Sequence, residues 1–314
     1  MDVILDVDPG VDDALAILLA LSSPELSVLG LTVVSGNVPL DSGTENALRI
    51  LAFADREDIP VFKGADHPLK RSPVYAKQVH GESGLGAAVL KKATRSAREG
   101  AVGFLIESLD AHAGQVTLLA VGPLTNLALA ERRAPGTLDK AREVVVMGGA
   151  AAVPGNASPV AEFNFYVDPD AARVVIAACD RLVVVPLDVT RQIGIDSEEI
   201  ERRIRPLKTA RSAFFCEATE VVVRHGRDTG GYAGVALHDP AAVAYAIRPD
   251  LFGVEIGWAD VEAEGTLTAG QLVVDRRVGV PDEKRMGHPV RMAVETDAES
   301  VLHLFRQRLL GSDP

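Results

Sequence analysis

The chain is 314 residues long with a formal net charge of −12, and this acidic balance argues against nucleic-acid or anionic-membrane partners, which need basic patches. Its two cysteines, Cys179 and Cys216, show no CxxC spacing, which argues against a disulfide framework or thiolate metal site and suits a reducing compartment. With no basic-then-apolar leader at Met1 and no apolar run near the ~20 residues a membrane helix needs, the expectation is a soluble cytoplasmic protein.

Residues 3–7 form a short β-branched run that reads as a buried strand. Residues 14–21 are apolar on every side and read as a buried helix, with Pro9-Gly10 as the turn between them. A second strand is expected over 27–34, then a helix over 44–55 that Asp41, Ser42 or Thr44 could cap. Helices over 102–112, 124–132 and 168–179 alternate with strands over 116–121, 144–147 and 182–187. Residues 196–224 read as a charged helical stretch. Trp258 and residues 263–268 and 272–274 read as later short strands, and 297–310 as a last helix with Thr296 placed to cap it. Such alternation predicts an α/β fold, an open, mostly parallel, Rossmann-like sheet with helices on both faces, as one large domain over 1–314. The spans 63–92 and 148–164 read as long loops, often lids or binding loops in compact domains.

The most informative local feature is Asp6, Asp8, Asp12 and Asp13 at the end of the first predicted strand, where open α/β sheets place their ligands. Crowded carboxylates repel one another. A helix N-terminus relieves part of that repulsion, and a hard divalent cation relieves far more. Gly36-Asn37 follows the second strand, Gly122-Pro123-Leu124-Thr125-Asn126 the strand over 116–121, and Gly148-Gly149 the strand over 144–147, with Asn156, Glu162 and Asn164 beyond. Much later, His238-Asp239-Pro240 opens an apolar helix. All of these can converge on one sheet edge. They include no lysine or arginine, so a phosphate site is disfavoured. A polyhydroxylated, uncharged ligand such as a sugar suits them better.

In order along the chain, Asp8-Pro9-Gly10-Val11-Asp12-Asp13-Ala14, Val34-Ser35-Gly36-Asn37, His80-Gly81-Glu82-Ser83-Gly84-Leu85-Gly86, Gly122-Pro123-Leu124-Thr125-Asn126, Ala161-Glu162-Phe163-Asn164 and His238-Asp239-Pro240 resemble the nucleoside hydrolases, most closely the inosine-uridine-preferring branch. The resemblance implies a Ca²⁺-dependent N-ribohydrolase that converts a ribonucleoside and water to ribose and free base. It implies that Asp8, Asp13, Asp239 and the backbone carbonyl of Val121 hold Ca²⁺, and that Asp8 is the general base. Asp12, Asn37, Asn156, Glu162 and Asn164 would then bind ribose hydroxyls, with Asp239 also facing the substrate. His238 is the candidate acid for the leaving base, and His80 a second candidate for contacting it. The resemblance further implies a homodimer or homotetramer with no nucleic-acid or membrane partner.

Plainer roles compete. Asp6 reads as structural, and Thr125 and Asn126 as caps of the following helix. Arg227 and Tyr232 are weaker candidates for folding over the pocket. His67, His112, His225, His288 and His303 read as surface or structural. A haloacid-dehalogenase-like phosphatase shares the pattern Asp6-Val7-Asp8, but Pro9-Gly10 and the Asp12-Asp13 pair do not match it. A nucleoside- or ribose-binding protein without turnover could lack Asp8 or His238, and both are present. Hydrolysis of a modified riboside also remains within the same fold.

Overall fold

The computed structural model describes residues 1–311. Strand β1 (Asp2–Val7) is buried over most of its length between two parallel neighbours, as its apolar run requires. It feeds α1 (Val11–Leu21), whose first turn carries Asp12 and Asp13. Next come β2 (Ser27–Val33), α2 (Leu40–Phe53) and β3 (Val61–Lys63). The span 63–92, expected to be a loop, contains α3 (Lys77–His80), and beyond it come β4 (Arg98–Glu99) and α4 (Ala101–Ala111). Then follow β5 (Thr117–Ala120), α5 (Thr125–Arg133), β6 (Glu143–Met147), α6 (Phe163–Val167), α7 (Pro169–Ala178), β7 (Leu182–Val185) and the single turn α8 (Leu187–Thr190). The chain continues through β8 (Gly194–Asp196), α9 (Ser197–Glu199), α10 (Ala210–Asp228), β9 (Gly234–Ala236) and α11 (His238–Ile247). It closes with β10 (Phe252–Val261), β11 (Leu272–Asp275), β12 (His288–Thr296) and α12 (Ala298–Phe305).

The main sheet has ten strands in the order β11-β10-β12-β7-β6-β5-β1-β2-β3-β4. Its pairs run parallel from β4 to β12, and β10 and β11 are antiparallel. From β1 the chain first builds outward through β2, β3 and β4, then returns to build the other side from β5. The strand order therefore reverses between β1 and β5, and a crevice opens beyond their carboxyl ends. Alternate side chains feed two cores. Leu5, Leu119 and Val145 pack with Leu15 of α1, Phe215 of α10 and Val243 of α11. Ile4, Leu118 and Val144 pack with Leu105 of α4, Leu127 of α5 and Val175 of α7. Helices thus cover both faces of the single-domain sheet. No helix among the described residues is long and apolar enough to cross a membrane.

Several local expectations are corrected. Residues 263–268 form a turn, because Glu262 accepts the backbone N–H groups of Glu264 and Gly265 and its carbonyl accepts that of Gly270. The true partner strand, β12, was missed. Thr296 ends that strand, and Asp297 caps α12 by accepting from Ser300 N at 3.1 Å. None of Asp41, Ser42 or Thr44 caps α2, which starts at Leu40 after Pro39. Thr44 instead donates to the Leu40 carbonyl, and Asp41 pairs with Lys63. The stretch 196–224 is not one helix. Pro206 and a left-handed Lys208 break it, and Thr209 caps a fresh start for α10.

Candidate active site

The acidic cluster sits at the strand-order reversal. Asp13 is fully buried and accepts Asp8 N at 2.9 Å on one oxygen; the other accepts Gly10 N at 2.9 Å and the Asn37 side-chain amide at 3.0 Å. One oxygen of Asp8 accepts Asn37 N at 2.6 Å, while its Oδ1 is buried with no partner. Two glycines make room for this carboxylate: a Cβ on Gly36 would collide with it, and one on Gly122 would lie 2.7 Å from Oδ1. Asp12 stands at the mouth with 19% of its side chain exposed, and its Oδ1 also lacks a partner. Asp239, in the first turn of α11, completes a group in which carboxylate oxygens of Asp12, Asp13 and Asp239 all lie within 4.8 Å of one another. Asp12 therefore enters the tightest trio, and Asp8 stands beside it.

Every one of these carboxyls is pushed toward its neutral form. Burial and then the charge of Asp13 raise Asp8 well above the usual range. Burial, then Asp12, Asp13, Asp8 and Glu162, do the same to Asp239. Burial lifts Asp12 to about 6, and burial with the Asp12 charge lifts Asp13 to about 6. Mutually repelling carboxylates, three of which bring an oxygen within 4.8 Å of one another, fit a divalent cation, whose charge reverses this penalty. The donor set is all oxygen, which suits a hard ion.

The Val121 carbonyl already accepts the Asn164 amide at 2.8 Å, which leaves one of its lone pairs free. The same amide donates to Met147 O at 3.1 Å. Glu162 caps α6, accepting the backbone N–H groups of Asn164, Gly149 and Phe165 at 2.9, 3.0 and 3.2 Å. Burial nevertheless raises it to about 7. Asn156 is exposed on the loop opposite and accepts Phe163 N at 2.8 Å. His80 accepts Val11 N on Nδ1 at 3.1 Å, so its proton resides on Nε2. His238 Nδ1 lies 2.8 Å from the Thr190 hydroxyl. Burial lowers both imidazoles to about 4, with the Arg191 charge adding to the effect on His238, so both are neutral at pH 7.

Asp12, Asn37, His80, Val121, Asn156, Glu162, Asn164, His238 and Asp239 all line one cavity of about 450 Å³. Asp8 and Asp13 lie beneath its floor. Thr125 and Asn126 do not cap α5. Thr125 donates to Asp168 at 2.7 Å, and Asn126 donates to Asp6 at 2.8 Å and accepts Ala65 N at 2.8 Å. These bonds give Asp6 its structural role, although burial raises it to about 7. Arg227 lines a separate cavity with Glu201 and Arg205, away from the site. Tyr232 does line the main pocket.

The outer wall was missed. Val222, His225 and Gly226 of α10 and Thr229 just past its end line the pocket, as does Gln78 of α3. Their spacing of three and four is the one signal that could have found them, since it marks a single helix face.

Residues 3–303 match the family model for inosine-uridine preferring nucleoside hydrolase. The chain is 41% identical over 276 residues to a pyrimidine-specific ribonucleoside hydrolase, RihA, of Shewanella oneidensis, covering 87% of this chain and 86% of that protein. It is 40% identical over 311 residues to the Escherichia coli protein of the same name, covering 98% of each. Among solved structures, a plant nucleoside hydrolase superposes with a TM-score of 0.91 at 34% identity, covering 99% of each chain. A purine-preferring ribonucleoside hydrolase of Gardnerella vaginalis superposes with a TM-score of 0.91 at 32% identity, covering 99% of this chain and 98% of that one. The chain belongs to the inosine-uridine-preferring nucleoside hydrolase family, and so to a family of enzymes that hydrolyse nucleosides.

Proposed function

We propose that the protein hydrolyses the N-glycosidic bond of ribonucleosides in a Ca²⁺-dependent reaction, releasing ribose and free base. The observation that carries this reading is the cluster of buried Asp8, Asp13 and Asp239 with part-exposed Asp12 at a pocket whose mostly apolar wall carries Asn37, Asn156, Asn164, His80 and His238. As the C1′–N bond stretches, positive charge gathers on the ribose ring, and an anionic floor stabilises it where it develops.

Asp8, Asp13, Asp239 and the Val121 carbonyl would hold the Ca²⁺, which when bound acidifies a neighbouring water and grips ribose hydroxyls. Asp8 is the general base, because its unpartnered Oδ1 is free to take the proton of the attacking water. Asp12, with its own unpartnered oxygen at the mouth, accepts a ribose hydroxyl. Asn37, Asn156, Glu162 and Asn164 fix the sugar's orientation. Asn164 does so through its carbonyl oxygen, since its amide protons are spent on Val121 and Met147. His238 serves the departing base. In the free enzyme it is neutral, so with Thr190 hydrogen-bonded to Nδ1 its ring N–H on Nε2 stabilises the negative charge that gathers on that base by hydrogen bonding. His80 is the second contact on the base side.

The test is ribose release from a panel of uridine, cytidine, inosine and adenosine with Ca²⁺ present. Release from none of them sinks the reading. The same preparation is expected to run as a homodimer or homotetramer by light scattering.

A further inference from the structure

One loop of the site, over 151–155, and the first residue of α11, His238, converge on the single turn α8. Asp188 accepts the backbone N–H groups of Ala151 and Ala152 at 2.8 and 2.7 Å. Arg191, three residues on and so on the same face, donates to the carbonyls of Pro154 and Gly155, each at 2.8 Å. Together they hold the segment that leads directly into Asn156. Between them Thr190, fully buried, turns its hydroxyl the other way, 2.8 Å from Nδ1 of His238. Four charge-assisted bonds to one loop are strong for a turn this short. A four-residue helix has no stability of its own, so its shape is held by what it grips.

We propose that Asp188, Thr190 and Arg191 form a positioning turn that keeps the ribose side of the pocket, through Asn156, in register with the base side, through His238. None of the three lines the pocket. They act through residues that do. The catalytic consequence rests on the ribonucleoside hydrolase reading, while the clamp itself rests on the hydrogen bonds alone.

Two measurements on the full-length chain test it. In hydrogen exchange, the amides of Ala151 and Ala152 are expected to be protected, and Asp188→Ala to speed their exchange at least about ten-fold. Unchanged exchange overturns the clamp. In uridine and inosine hydrolysis, Arg191→Ala is expected to raise KM about ten-fold with a smaller change in kcat, and to add nothing in an Asn156→Ala background. Multiplying effects in that cycle overturn the coupling through Asn156. Thr190→Val is expected to lower kcat about ten-fold with KM held, and Thr190→Ser to restore it. A Thr190→Val enzyme with wild-type kcat overturns the His238 arm. If Asp188→Ala folds poorly, the cycle on surface-exposed Arg191 decides the clamp. If the wild type releases no ribose at all, the function reading fails, and exchange at Ala151 and Ala152 still decides the clamp.

Discussion

The backbone N–H of Asn37 donates to Oδ2 of Asp8 at 2.6 Å, and this one bond leaves Oδ1 of Asp8 without any partner inside the protein. Asn37 also holds Asp13 through its side-chain amide at 3.0 Å. A residue of the loop between β2 and α2 thus aims two carboxylates from the β1–α1 junction. Gly36 and Gly122, whose lack of side chains makes the space, complete the arrangement.

Asp8→Ala is expected to cut turnover by about 10³-fold or more, the scale of a lost general base together with a lost metal ligand. The fold should survive, because removing one of several mutually repelling buried carboxylates relieves repulsion. Ribose release and a thermal melt read both effects. A variant that keeps a tenth of wild-type activity refutes the base assignment.

In the metal-free protein, stability is expected to fall as pH rises. Asp12 and Asp13 are raised to about 6, and Asp6 and Glu162 to about 7, from ordinary values of 3.8 and 4.5. A raised carboxyl binds its proton more tightly when folded. Its stabilising share is therefore complete below about pH 4 and lost as pH climbs through 6 and 7. Bound Ca²⁺ wants its carboxylate ligands ionised, Asp13 among them, so the gain in Tm on adding Ca²⁺ should grow as pH climbs through about 6. Melts in EDTA and in Ca²⁺ from acid to neutral pH check this. Parallel curves in the two buffers contradict it.

His225→Ala is expected to change the ratio of kcat/KM between pyrimidine and purine nucleosides by about 3- to 10-fold, the size of a few altered contacts to the base. His225 lines the pocket with Val222 and Thr229, one face of the end of α10. The nucleoside panel repeated on the variant reads the ratio. An equal loss on every base means that His225 does not face the base.

Asn126→Ala is expected to destabilise the fold by about 3 kcal/mol, since it strands buried polar groups on Asp6, Val33 and Ala65 at once. Urea unfolding measures the loss. A cost under about 1 kcal/mol would mean that water replaces the amide.

The strands β1, β2, β5, β6 and β7 and the longer helices between them were legible because each carries its own period, and burial on both sheet faces leaves a continuous apolar run, whereas β3 and β4, three and two residues long, are too short to show one. The antiparallel end was less legible. β12 carries Arg291 and Glu295 among its apolar residues and does not stand out as a strand. The apparent strand over 263–268 is bent into a turn by Glu262 capping its own following backbone.

Chemistry concentrated in one stretch of sequence could be read directly: four aspartates around a Pro-Gly turn can hardly be mistaken for a solvated surface once a buried strand precedes them. Which partners those aspartates have could not. Asp6 meets Asn126 across 120 residues, His80 meets the start of α1 across 69, and His238 meets Thr190 across 48. Local pattern reports secondary structure because backbone geometry repeats along the chain. Polar pairing inside the core is settled only when distant segments pack and each buried donor must find whatever acceptor lies opposite. Residue types and strand ends were therefore open to reading from the amino acids alone. The aim of each carboxylate, the proton on each imidazole and the α10 wall of the pocket were decided by the folded chain.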